Sequence, residues 1–144
     1  MTDVIAKTGW LLPKELRPDF HDAELLAIEL RTNNVLVLTF KLVEEKCSEV
    51  VLNDVTVFRV SDFIKQNVVS RLLVSPEFLF TDEQLTYCVN WINSLCDTKT
   101  LIKSEAIQQH VACLRNAEWC LFVLEPSWGA EVAVICKTVK CGLK

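Results

Sequence analysis

Between Phe20 and Val43 the chain reads FHDAELLAIELRTNNVLVLTFKLV, a polar lead-in followed by two runs of alternating residues. Leu26, Ile28 and Leu30 fall on one face of the first run, with Glu29 and Arg31 on the other. Leu36, Leu38, Phe40 and Leu42 do the same in the second, opposite Thr39 and Lys41. This period-2 alternation predicts two half-buried strands. Between them Asn33-Asn34 sits where a two-residue hairpin needs positive φ, which Asn tolerates better than most residues. A lone hairpin is marginal in water, so this one must belong to a larger sheet.

The neighbouring stretches extend it. Residues 1–19 contain Trp10-Leu11-Leu12 and two prolines, Pro13 and Pro18, which disfavour a long helix. They predict an irregular arm that docks Trp10 and Leu11 on the core. Glu44–Ser48 reads as a polar connection, Glu49–Leu52 as a third strand, and Asn53-Asp54 as a bulge or bend before Val55–Val60. Ser61-Asp62 offers a cap for one short helical turn, Phe63–Gln66, and Asn67–Val74 returns to β-branched character. Residues 20–74 thus read as a meander.

Ser75-Pro76 breaks the pattern. Thr81-Asp82-Glu83-Gln84 is a capping box, followed at helical spacing by Leu85, Cys88, Val89, Ile92, Leu95 and Cys96. Ser104-Glu105 opens a second helical pattern with Ile107, His110, Val111 and Leu114 on one side. Residues 81–116 form the helical segment. Residues 118–141 read as a C-terminal hairpin: Glu118–Glu125, a Pro126-Ser127-Trp128-Gly129 turn, and Ala130–Cys141. The expectation is an α+β fold in one domain, 1–144: a mainly antiparallel sheet, meander plus C-terminal hairpin, with about two helices on one face.

Composition narrows the class. Hydrophobic residues make up 51% of the 144 and the mean hydropathy is +0.27, but no apolar run approaches the roughly 18 residues of a membrane-spanning helix. The first residues lack a signal-peptide progression, so a cytoplasmic protein is expected. The seven cysteines are odd in number, contain no Cys-x-x-Cys and lie mostly in apolar runs, which predicts buried free thiols. A net charge of −4 without a basic stripe points away from nucleic acid, and no membrane partner is expected.

Chemistry has few places to sit. His21-Asp22 could begin a metal site, but His110 is the one other histidine, and an open catalytic metal usually draws on three protein ligands. No metal and no cofactor are therefore expected. A cysteine paired with His21 or His110 lacks the glycine-flanked, helix-starting setting that lowers a thiol pKa. With Gly9, Gly129 and Gly142 as its three glycines, the chain has no phosphate-cradling loop. Ser127 stands in Pro-Ser-Trp-Gly rather than in a nucleophile elbow. No catalytic residue emerges, and a non-enzymatic protein is expected. Among the four tryptophans, Trp128 in a turn is either a folded-back lid or an exposed anchor.

Three stretches recur in an order that resembles a known family. They are Phe20-His21-Asp22-Ala23-Glu24 before the hairpin, Asp62-Phe63 with Gln66-Asn67-Val68, and Glu125-Pro126-Ser127-Trp128-Gly129 before a strand with Cys136. Together they resemble the immunity protein 50 family of bacterial polymorphic-toxin and contact-dependent inhibition systems, over roughly Phe20–Cys141. Trp128 stands where that family more often has Tyr, and the Ser104–Arg115 helix lies outside the motifs. The resemblance implies a cytoplasmic protein that binds a cognate toxin domain and neutralises it without covalent chemistry. In that reading Phe20, His21, Asp22, Glu24, Gln66, Asn67, Glu125, Pro126, Ser127 and Gly129 maintain the fold. Glu44, Glu45, Glu49 and Trp128 are the expected toxin contacts. A second reading is a small-ligand-binding or housekeeping domain that uses the His21-Asp22-Glu24 edge.

Overall fold

The computed structural model describes residues 7–94 and 103–143. In chain order its elements are β1 (Gly9–Trp10), a 3-10 turn (Lys14–Leu16), β2 (Glu24–Arg31), β3 (Val35–Lys41), β4 (Cys47–Asn53), β5 (Val57–Ser61) and β6 (Val68–Val74). Helices α1 (Asp82–Ile92) and α2 (Ser104–Arg115) follow, then β7 (Cys120–Trp128), β8 (Glu131–Cys136) and β9 (Thr138–Leu143). The nine described strands form one sheet in the order β1-β9-β4-β3-β2-β6-β7-β8-β5. All neighbours are antiparallel except β1 with β9. The fold is α+β.

The sheet turns back on itself, and the chain shows how. Strands β4 and β5 are two lengths of one run bent at Asp54, whose φ is 56°. Strands β8 and β9 are a second run, broken at Lys137 alone. The runs pair on both sides of the bend, Asn53 with Thr138 and Val57 with Ile135. Thr56 N–H donates to Ile135 O at 2.9 Å and Lys137 N–H to Asn53 O at 3.0 Å, so the ladder continues through the corner. Strands that switch leaves at such bends are how packed sheets make corners. One leaf is β1, β9, β4, β3 and β2; the other is β6, β7, β8 and β5.

The core fills the space between the leaves. Leu36, Leu38, Phe40, Val50 and Leu52 from the first meet Val69, Phe122, Leu124, Val132 and Val134 from the second in one buried cluster. Phe20 packs edge-on to Phe40 with centroids 5.2 Å apart. On the outer side of the second leaf, α1 and α2 bury Leu85, Val89, Ile92, Val111 and Leu114 against Leu121, Ala133 and Ile135. That double cover explains why β7 and β8 are apolar on both faces. The capping box at α1 is formed: Thr81 Oγ1 accepts from Gln84 N–H at 3.1 Å, and Gln84 Oε1 from Thr81 N–H at 2.8 Å.

Several local expectations change. The meander holds for β2, β3 and β4, but β5 crosses to the far edge beside β8 and β6 returns to β2. The apolar face of β2 is reset by a bulge between Leu25 and Ala27, so Leu25 enters the core and Leu26 and Leu30 are exposed. Phe63–Gln66 is a loop rather than a helical turn. Asp62 has φ 58°, outside the extended conformation an N-cap requires. Pro126, Ser127 and Trp128 belong to β7, and the chain reverses at Gly129-Ala130. Ala130–Cys141 is two strands on different leaves, not one. In the arm, Trp10 is buried as expected, but Leu11 is exposed and Leu12 packs on the core instead. Leu95 and Cys96 of the first helical stripe lie outside the described residues.

Candidate functional site

The three motif stretches, far apart in sequence, meet where β2, β6 and β7 adjoin. Register places Glu24 opposite Val68, and Val68 opposite Trp128. The joint is fixed by the side chain of Asn67, which is 3% exposed. Its Oδ1 accepts from Ile64 N–H at 2.9 Å and Ala130 N–H at 3.0 Å. Its Nδ2 donates to Ile64 O at 2.7 Å and Leu25 O at 3.4 Å. Every hydrogen-bonding position of the carboxamide is used, which is what a buried amide requires. Gly129 has φ +84°, and a Cβ there would stand 2.6 Å from Asn67 Oδ1. Glycine is the residue this contact admits.

The remaining motif residues support the same joint. Asp22 N–H donates to Val69 O, and Ala23 O accepts from Val69 N–H, both at 2.9 Å. Gln66 Nε2 donates to Glu24 Oε1 at 3.2 Å. Arg71 grips Glu125 through two bonds of 3.0 Å, and Pro126 sits opposite Val69 between two register shifts. Ser127 is exposed beside Trp128. His21 is exposed, its Nδ1 3.1 Å from Ser70 O and its Nε2 3.5 Å from Asp22 Oδ2. The Ser70 carbonyl first, and then the Asp22 charge, raise its pKa above the ordinary 6.5.

Directly paired residues share a face of a sheet. The register therefore lines up Cys47, Lys41, Glu24, Val68 and Trp128 across five strands on the outer surface. Lys41 Nζ binds Glu45 Oε2 at 2.9 Å, and this bond together with the Glu45 charge raises the Lys41 pKa. Glu44 is exposed in the same β3–β4 turn. From Trp128 to Lys41 is three strand spacings, at most about 14 Å. Glu49, half-buried on the outer face of β4, pairs with Thr39 and Gly142 in a neighbouring row; Glu29 first, and Glu49 after it, raise the Arg31 pKa.

Trp128 differs from the other tryptophans. Arg17 lies 4.4 Å over Trp10, Arg59 4.5 Å over Trp91 and Lys137 3.9 Å over Trp119. Trp128 is 62% exposed and carries no such partner among the described residues. It is not a lid. Alternation marks Lys41 only as a strand residue; its position between Glu45 and Glu24 depends on the β2–β3 register, which alternation alone does not supply.

Other chemistry is sparse. Among the described residues no three His, Cys, Asp or Glu side chains converge as a metal site would need. His110 and Cys113 share the wall of a cleft of about 250 Å³, but burial and Glu118 push the Cys113 thiol up, against thiolate formation. Burial pushes Cys88 up to about 11. Cys120 and Cys136 are buried with their sulfurs 3.5 Å apart, and this contact and burial push the Cys136 thiol far up. Cys96 lies outside the described residues. No helix among the described residues is long and apolar enough to cross a membrane. Set against family models, curated proteins and solved structures, the chain matches none.

Proposed function

We propose that the chain is a non-enzymatic, cytoplasmic immunity protein that neutralises a cognate bacterial toxin domain by non-covalent binding, as the resemblance to the immunity protein 50 family implies. The observation that carries this reading is Trp128. A large aromatic side chain 62% exposed, with no ring or cation partner among the described residues, stands at the end of a row that includes Glu24 and Lys41. Exposed tryptophans beside polar rims are the residues most often found as binding anchors. Glu44, Glu45 and Glu49 supply the acidic surround, which suits a basic partner and speeds encounter. Phe20, Asn67, Gly129 and the other motif residues hold the surface in shape rather than touch the partner.

The test is capture from the source cells with the tagged chain as bait, read by mass spectrometry, with Trp128→Ala bait in parallel. A stoichiometric complex with the C-terminal region of a large secreted protein, weakened by Trp128→Ala, is the expected result. No such partner from cells that express one, or equal capture by both baits, would reject the reading.

A further inference from the structure

A cavity lies between the N-terminal arm and β6. It holds about 790 Å³, and Trp10, Arg17, His21, Arg71, Glu77 and Phe78 contribute to its wall. Arg17 is the unusual member. Its side chain is 7% exposed and its Cζ lies 4.4 Å over the Trp10 ring. Nη2 binds Glu77 Oε2 at 2.6 Å, while Nη1 is shut off from water and has no hydrogen-bond partner among the described residues. A buried guanidinium has five donors in a fixed fork, and one left without an acceptor is costly.

We propose that this cavity is a binding site for a small aromatic carboxylate, held by the fork of Arg17, with Glu77 occupying the carboxylate position when the site is free. Three features carry the assignment. The acceptor already on Arg17 is itself a carboxylate, held through Nη2 alone. A planar carboxylate can engage both Nη atoms, where Glu77 engages Nη2 alone. Phe78 gives the cavity an aromatic wall for the ligand's ring, and the wall carries Lys14 and Arg17 beside Asp19 and Glu77, with Arg71 already held by Glu125. Glu77 is 52% exposed, so it can swing into water and give up its place at little burial cost.

The proposal does not rest on toxin binding, and of the His21-Asp22-Glu24 edge that the small-ligand reading uses, His21 lines this cavity. Its test is calorimetric titration and thermal shift of the full chain with benzoate, acetate and inorganic phosphate, on wild type, Glu77→Gln and Arg17→Met. Benzoate is expected to bind and to raise Tm in wild type, and to bind Glu77→Gln on the order of tenfold more tightly, because a charge-assisted competitor is gone. Arg17→Met should lose the response. Benzoate affinity unchanged by Glu77→Gln would overturn the proposal even if Arg17→Met fails to fold. An equal response in Arg17→Met would also overturn it. Phosphate binding as tightly as benzoate would overturn the carboxylate assignment, and acetate matching benzoate would overturn the aromatic one.

Discussion

Asn67 Oδ1 accepts the backbone N–H of Ala130 at 3.0 Å, tying the loop before β6 to the turn after β7 across 63 residues of sequence. With its three other bonds, this side chain holds β2, β6 and β7 together where the register of β2 on β6 is a single pair. Asn67→Ala strands buried donors and acceptors on Ile64, Leu25 and Ala130, and should cost about 2–4 kcal/mol. Gly129→Ala, which drives a Cβ into Asn67 Oδ1 at 2.6 Å and strains a φ of +84°, should cost about 2 kcal/mol or more. Urea unfolding measures both. Losses below about 0.5 kcal/mol, the range of ordinary surface changes, would show that the joint does not depend on them.

The Arg71–Glu125 pair is bidentate but exposed, at 55% and 42%. Solvent screening should hold its coupling energy to about 0.2–1 kcal/mol in a double-mutant cycle, and lower still in high salt. A coupling several times larger would mean that the pair organises β6 and β7 rather than decorating them.

His21 should titrate above 6.5, with a midpoint that falls when Asp22 is changed to Asn. Because the folded-state pKa is raised, the protonated ring favours the fold. Its contribution is complete below the unfolded pKa near 6.5 and fades as pH rises through the folded midpoint. Proton NMR of the imidazole across neutral pH reads this directly, and a midpoint at or below 6.5 would contradict it.

Thiol reactivity should divide by burial. Native-state alkylation followed by mass spectrometry should leave Cys120 and Cys136, both 0% exposed, unmodified until the chain unfolds. Cys88, half-buried with a pKa pushed up to about 11, should react slowly near neutral pH and faster as the pH rises toward that value. Rapid labelling of Cys136 in the native protein would contradict the described core.

The sequence carried the local structure and lost the long-range one. Alternation at Leu36, Leu38 and Phe40 marked a strand because burial of one face repeats every second residue, and those side chains fill the core. The capping box marked the start of α1 because its bonds span three residues. The course of β5 was not legible. Val55–Val60 is apolar on both faces whether it continues a meander or crosses to β8, and the bend depends on Asp54 adopting φ 56° and on pairing with Ile135 and Thr138, far along the chain. Pro126-Ser127-Trp128-Gly129 has turn composition, yet pairing with Val68 and Val69 on β6 draws its first three residues into a strand. Of the expected contact residues, Trp128 stands in one row and Glu45 binds Lys41 of that row, whereas Glu49 belongs to the next. Arg17 had no signal, since an arginine between Leu16 and Pro18 gives no hint of the Trp10 ring beneath it.

The most direct test of the central claim is the affinity of the proposed toxin partner, once captured, for wild type and Trp128→Ala, measured beside the melting temperatures of the two proteins. A side chain 62% exposed should leave Tm nearly unchanged on truncation, while an anchor should lose binding by about 2 kcal/mol or more, roughly thirtyfold in Kd. Unchanged affinity would contradict the assignment of this surface to the toxin. A fall in Tm that accounts for the lost binding would return Trp128 to the fold.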